Sequence, residues 1–222
     1  MTSNLTSELT DPLRLLKLIH LADSALPIGG AAHSLGLETL VAEGALTSET
    51  LSRFLRDYLQ ETAVMEAAFC RAAHRAGGSG WQALNQQLSA RKPARESREA
   101  SLTLGRRFVQ LFCALEGCEI PLGDAHYPTA FGYAGRALGV AEGLAAAVYL
   151  QQSVSALVSA CQRLMPIGQQ RAARLLWDLK PAILQTVQAS DAAEIETVAV
   201  FTPMVEIASM RHVALQTRLF IS

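Results

Sequence analysis

Apolar residues recur along this chain at steps of three and four, and that period predicts helices almost from end to end. The most conspicuous run is residues 140–168. Within it Val140, Leu144, Val148, Leu150, Val154, Leu157, Val158 and Cys161 share one face, while the other face is mostly Ala, Ser and Gln. A helix apolar on one side and small on the other belongs inside a bundle, so this one is expected to be the buried central helix. Glu142, Gln151, Gln152, Ser153 and Ser155 interrupt it, which argues against a membrane span.

The same period divides the rest of the chain. Residues 13–22 form a short amphipathic helix with Leu13, Leu16 and Ile19 or His20 on one side. Pro27, Gly29 and Gly30 then force a turn, and helix resumes over residues 33–41. A stripe of Leu51, Phe54, Leu55, Tyr58, Leu59, Thr62, Met65 and Phe69 predicts one helix of about seven turns, ended by Gly77 to Gly80. Shorter helices follow over residues 81–90 and 99–117, separated by a charged, solvated loop at 91–98. Pro128 opens a glycine-rich helix through Leu138. Beyond Gly168, residues 169–188 are helical with a kink or break at Pro181. Residues 191–201 have some strand character, and Thr202 and Pro203 open a last helix over residues 204–216.

The expected fold is therefore all-α: one domain of about eight to ten helices over residues 13–222, preceded by a flexible tail at 1–12. Half the residues are hydrophobic, 18% are charged and the formal net charge is -1. That balance argues against a nucleic-acid-binding face. Cys70, Cys113, Cys118 and Cys161 lie in apolar helical contexts without a CxxC, as core thiols of a reduced cytoplasmic protein would. The five histidines share no spacing, and Glu38, Glu61, Glu66 and Glu142 read as ordinary solvated or capping carboxylates on helices. No phosphate loop, dinucleotide fingerprint, nucleophile elbow or HExxH helix occurs in the sequence. These residues identify no catalytic, cofactor or metal site. No tight nickel site is expected either.

Five stretches, taken in order, carry more. They are Ser24 to Glu38 (SALPIGGAAHSLGLE), Ser97 to Ser101 with Gly105-Arg106, His126-Tyr127-Pro128 with Phe131-Gly132, Arg163 to Gln169 (RLMPIGQ), and Ala208 to His212 closing with Thr217 to Ser222. Their order and spacing resemble the urease accessory protein F (UreF) family from about Leu13 onward. Where members of that family carry aromatic residues, this sequence has Gly30-Ala31-Ala32.

The resemblance implies a non-catalytic, dimerising scaffold of urease maturation. It would bind accessory protein D (also called H) and recruit the maturation GTPase to apo-urease for GTP-dependent nickel insertion, with an effect on GTP hydrolysis as a further expectation. Nickel and GTP would be handled by the wider complex, with no cofactor, nucleic acid or membrane bound by this chain. The residues expected to meet partners are Pro27, Gly29, His33, Gly36 and Glu38 in the first motif and Arg163, Pro166, Gly168 and Gln169 in the fourth. To these the tail adds Met210, Arg211, His212, Arg218, Leu219 and Phe220. For that tail, residues 210–222, docking onto the chain's own core is the alternative. For the whole protein, the alternative is a helical enzyme with a buried cofactor or substrate pocket along the central helix.

Overall fold

Asp11 caps the first helix, α1 (Pro12–Leu21), by accepting the Leu13 N–H at 3.0 Å, and Pro12 sits in its first turn. This chain start belongs to a computed structural model that describes residues 11–119, 121 and 123–221. The tail expected at 1–12 thus falls mostly outside the described residues, and its last two, Asp11 and Pro12, already belong to the helix start.

After α1 come a 3-10 turn (Gly30–Ala32), α2 (Leu37–Ala42), α3 (Leu51–Gln60), α4 (Thr62–Ala76), α5 (Trp81–Ala90) and α6 (Arg95–Glu116). Then follow α7 (Tyr127–Ala137), α8 (Glu142–Leu164), α9 (Gln169–Asp178), α10 (Lys180–Ala192) and α11 (Pro203–Arg211), with a 3-10 turn at His212–Ala214. The fold is all-α, with no strand among the described residues.

The long helix expected from Leu51 is two helices. Glu61 leaves helical geometry (φ -110°, ψ -88°), and the Thr186 hydroxyl of α10 donates to the Leu59 carbonyl at 3.0 Å. Nothing local marks that break; a contact from far along the chain supports it. Residues 33–36 are likewise not helical, because Leu35 and Gly36 both take positive φ, 53° and 86°. The charged run expected as a loop is already helix from Arg95. The 191–201 segment does not pair as a strand. Instead Arg91 donates to the carbonyls of Ile195, Glu196 and Val198, doing for that backbone what a neighbouring strand would have done.

The long helix α8 spans the bundle against α4, α7 and α10. It is long and apolar enough to cross a bilayer, and half of its apolar window is buried within the fold. Its inner face is Ala145, Tyr149, Leu150, Val154, Leu157, Val158 and Cys161, whereas Leu144 and Val148 are only half-buried. The most buried helices lie beside it. Nine of fifteen residues in α4 and eight of eleven in α7 are buried, against nine of twenty-three in α8. Glycine explains this: a Cβ on Gly132 of α7 would stand 1.9 Å from the Cys70 carbonyl of α4, so the backbones touch.

Along α1 the apolar side is turned outward. Leu18 and Leu21 are buried, but Leu13, Leu16 and Ile19 are 59%, 64% and 53% exposed.

Candidate functional site: a clamp between the first loop, the central helix and the C-terminal tail

Three of the stretches singled out in sequence converge at one end of α8. The first is the loop into α2. Its apolar residues Leu26 and Ile28 turn into the core while Pro27 stays exposed. Gly29 has φ +86°, and a Cβ there would meet the Arg107 guanidinium at 2.5 Å; that guanidinium donates to Ile28 O at 3.3 Å. Gly36, also at φ +86°, lets α11 approach: a Cβ would lie 2.8 Å from the Ser209 hydroxyl and 3.0 Å from the Val205 carbonyl. His33 is held neutral, its pKa lowered by burial and by the nearby Arg107.

Glu38 closes the clamp. Its carboxylate accepts the Leu219 N–H at 2.6 Å, the Phe220 N–H at 3.2 Å and shares a hydrogen bond with His212 Nε2 at 2.7 Å. Burial alone would raise this carboxyl, but the Leu219 amide, His212 and the Phe220 amide together hold it below the usual carboxylate range. The Ile221 N–H donates to Ala32 O at 2.8 Å. Arg163, at the end of α8, donates to Ala31 O at 2.7 Å and places its guanidinium over the Phe220 ring.

The expected partner-binding residues therefore separate. Gly36, Glu38, His212 and Phe220 are buried in the chain's own clamp. Arg163 faces solvent on one side while bridging loop and tail. Pro166 and Gly168 are exposed in the turn after α8, and Gln169, exposed at the first residue of α9, accepts from Gln162. Arg211 pairs with Glu43 at 3.2 Å, Arg218 is exposed, and Met210 and Leu219 are 44% and 56% exposed. Of the three large apolar residues closing the tail, only Phe220 docks inside; Leu219 and Ile221 point away. Ser222 lies outside the described residues.

The sequence reading missed the buried carboxylates. Glu38 and Glu66 were expected to be solvated and are inside. Glu66 is held by Lys92 Nζ at 2.6 Å and by the hydroxyls of Tyr149 and Tyr58 at 3.0 and 3.2 Å. Glu142 joins Arg71, Arg75 and Asp191 in a network that ties α4 to α8 and α10. Position-by-position reading had no signal for these, since their partners lie up to 182 residues away.

Two other stretches also meet. His126 is fully buried, its ring nitrogens bonded to Ser89 and Ser101 at 2.8 and 3.0 Å, and its backbone N–H donates to Asn85 at 2.7 Å. A Cβ on Gly105 would stand 2.0 Å from Ala125 O. This is a structural joint that seats the start of α7 on α6.

The pocket anticipated along the central helix has a counterpart, a cavity of about 110 Å³ against Tyr149, Gln152, Ala156 and Leu157 of α8. Among the described residues no three His, Cys, Asp or Glu side chains gather as a metal site.

The UreF family profile matches residues 46–180. The chain belongs to the UreF family. It is 32% identical to the urease accessory protein UreF of Haemophilus influenzae strain PittEE over the whole of both chains. It is 33% identical to that of Nostoc sp. PCC 7120, covering 97% of this chain and 98% of the relative. For Paenarthrobacter aurescens TC1 the identity is 32%, covering 93% and 97%. The match runs through the clamp: the first motif lies before the profile region and the tail after it, yet full-length relatives span both.

Proposed function

We propose that this chain is a non-catalytic cytoplasmic scaffold of urease maturation. It would bind accessory protein D through the outer face of α11 and the exposed part of the tail, and so recruit the maturation GTPase to apo-urease. Nickel and GTP are then handled by the assembled complex.

The observation that carries this reading is that α11 presents large apolar residues outward as well as packing inward. Its inner side, Val205, Ala208 and Ser209, packs on α2 and α6. Its outer side presents Met204, Ile207 and Met210, extended by Phe201 before the helix and Val213 after it, 82% and 62% exposed. An exposed patch of large apolar residues on one side of a packed helix marks an interaction surface, and here a partner would cover it. Methionine-rich surfaces of this kind adapt to a partner's contours. The clamp holds the helix in place beforehand, which lowers the ordering cost of association.

A second copy of the chain fits the other exposed apolar side, Leu13, Leu16 and Ile19 of α1 beside Leu115 of α6.

The test is a Met204→Asp, Ile207→Asp double variant. It should melt within about 2 °C of the parent, because neither side chain is buried, and should no longer capture purified accessory protein D. Retained capture would overturn the assignment of α11. Leu16→Asp tests the second copy by light scattering, with a shift to monomer expected.

A further inference from the structure

An unbroken α-helix turns by about 100° per residue, so positions five apart sit about 140° apart around its axis and their side chains diverge. Cys113 and Cys118 are five apart and do not diverge, because α6 ends between them. Gly117 takes φ +69°, and the N–H groups of Gly117 and Cys118 both turn back to the Cys113 carbonyl, at 2.8 and 3.2 Å. A left-handed helix end of this kind folds the residue after the glycine over the last turn, where it usually meets an apolar side chain. Here it meets a thiol. The Cys113 thiol donates to the Glu119 carbonyl at 3.5 Å, and the Cys118 thiol hydrogen-bonds to Cys113. The Tyr133 hydroxyl of α7 reaches the same carbonyl at 3.4 Å and lies against Cys118.

The two thiols differ in access. Cys118 is part-exposed and Cys113 is 4% exposed, whereas Cys70 and Cys161 are fully buried. A reagent from solution therefore meets Cys118 first. Burial, and then the Cys118 thiol beside it, pushes the Cys113 thiol up to about 12, which makes Cys113 a poor first nucleophile. The described residues from 117 to 126 are not helical, so the backbone after Cys118 can adjust as the two sulfurs come together.

We propose that Cys113 and Cys118 form a reversible exchange site for low-molecular-weight disulfides. The Cys118 thiolate attacks one sulfur of a small disulfide RSSR, forming Cys118–S–S–R and releasing RS⁻. Cys113 then gives its proton to solvent, and its sulfur attacks Cys118 Sγ, breaking the bond to SR and releasing a second RS⁻. The protein pair loses two electrons, one RSSR is reduced to two RSH, and the two protons lost by the protein end on them. In a reducing compartment the pair rests as two thiols and closes when such disulfides accumulate. Closure ties the start of the connection into α7 to the last turn of α6.

The test incubates the reduced full chain with glutathione disulfide, unfolds it in N-ethylmaleimide to block the remaining thiols, and digests it with trypsin. Both cysteines fall on one tryptic peptide, residues 108–136, which holds no other cysteine. That peptide should appear unalkylated and lighter by two hydrogens, with Cys70 and Cys161 still reduced, and dithiothreitol should restore both thiols. Cys113→Ser should stop the reaction at a glutathione adduct on Cys118, and Cys118→Ser should leave Cys113 unmodified. Should Cys113→Ser fail to fold, the parent peptide decides alone. Two alkylated thiols in the parent, a glutathione adduct that does not resolve, equal oxidation of Cys70 or Cys161, or modification of Cys113 in Cys118→Ser would each overturn the proposal.

Discussion

Arg163 holds its guanidinium 4.3 Å above the centre of the Phe220 ring while donating to Ala31 O at 2.7 Å. One side chain at the end of α8 thus binds the first loop and the tail together. Phe220 is 5% exposed, and Leu219 and Ile221 beside it are 56% and 71% exposed. Phe220→Ala should therefore destabilise the fold by about 3 kcal/mol, lowering the melting temperature by about 6–12 °C in a domain this size. Ile221→Ala should change it by less than about 0.5 kcal/mol. Thermal unfolding of the two variants side by side checks the contrast. Removing residues 217–222 should behave like Phe220→Ala, which would make the tail part of the fold as well as part of its surface.

Glu38→Gln keeps the side chain's shape but replaces one acceptor oxygen with a donor. It would face the Leu219 and Phe220 amides or His212 with the wrong group, at a cost of about 2–3 kcal/mol. Hydrogen exchange at the Leu219 and Phe220 amides should speed up more than exchange in α4. Uniform acceleration would show the clamp to be no separate unit.

Two glycines give a matched pair. A Cβ at Gly132 meets the Cys70 carbonyl, while at Gly30 nothing lies within 4 Å. Gly132→Ala should destabilise the α4–α7 crossing by at least about 3 kcal/mol, or prevent folding, because a backbone carbonyl cannot yield as a side chain can. Gly30→Ala should be nearly neutral. Urea unfolding measures both.

Burial, helped by the charges of Lys92 and Arg98, pulls the His126 pKa down to about 3. In the unfolded chain the ring takes its proton near pH 6.5, so below that pH the unfolded state binds protons that the folded state refuses. The stability His126 allows is fully present above about pH 6.5 and declines by up to about 1.4 kcal/mol per pH unit as pH falls toward 3. The lowered Glu38 carboxyl adds a loss of the same sign at lower pH. His126→Asn, neutral at every pH, should flatten the limb between about pH 6 and 4. An unchanged limb would assign it to the carboxylates.

Much of the helical framework is legible in the sequence because it depends on period. Leu51, Leu55 and Leu59 recur every four residues, and all three are buried. Pro181 divides α9 from α10 as proline geometry requires. What escaped depends on distant contacts. The break at Glu61 is braced by Thr186. The exposed side of α1 is apolar in pattern, and pattern cannot tell an inner face from an outer one. In the clamp, the motif residues could be found from the resemblance, but their division into inward and outward groups could not. Glu38 resembles a solvated helix carboxylate until Leu219, Phe220 and His212 are folded onto it.

The clamp also sets an order of events during synthesis. Glu38 and the amide it holds most closely, that of Leu219, are 181 residues apart. At translation rates of about 5–20 residues per second, the loop leaves the ribosome about 10–40 s before the tail exists. For that interval Glu38 has neither the two tail amides nor His212, and Arg163 has no ring beneath it. The nascent chain can assemble the α4–α7 crossing early, but the clamp beside α11 cannot close until residues 219–221 are made. If a partner grips α11 as proposed, it would meet a finished clamp only on chains in which residues 219–221 have been made.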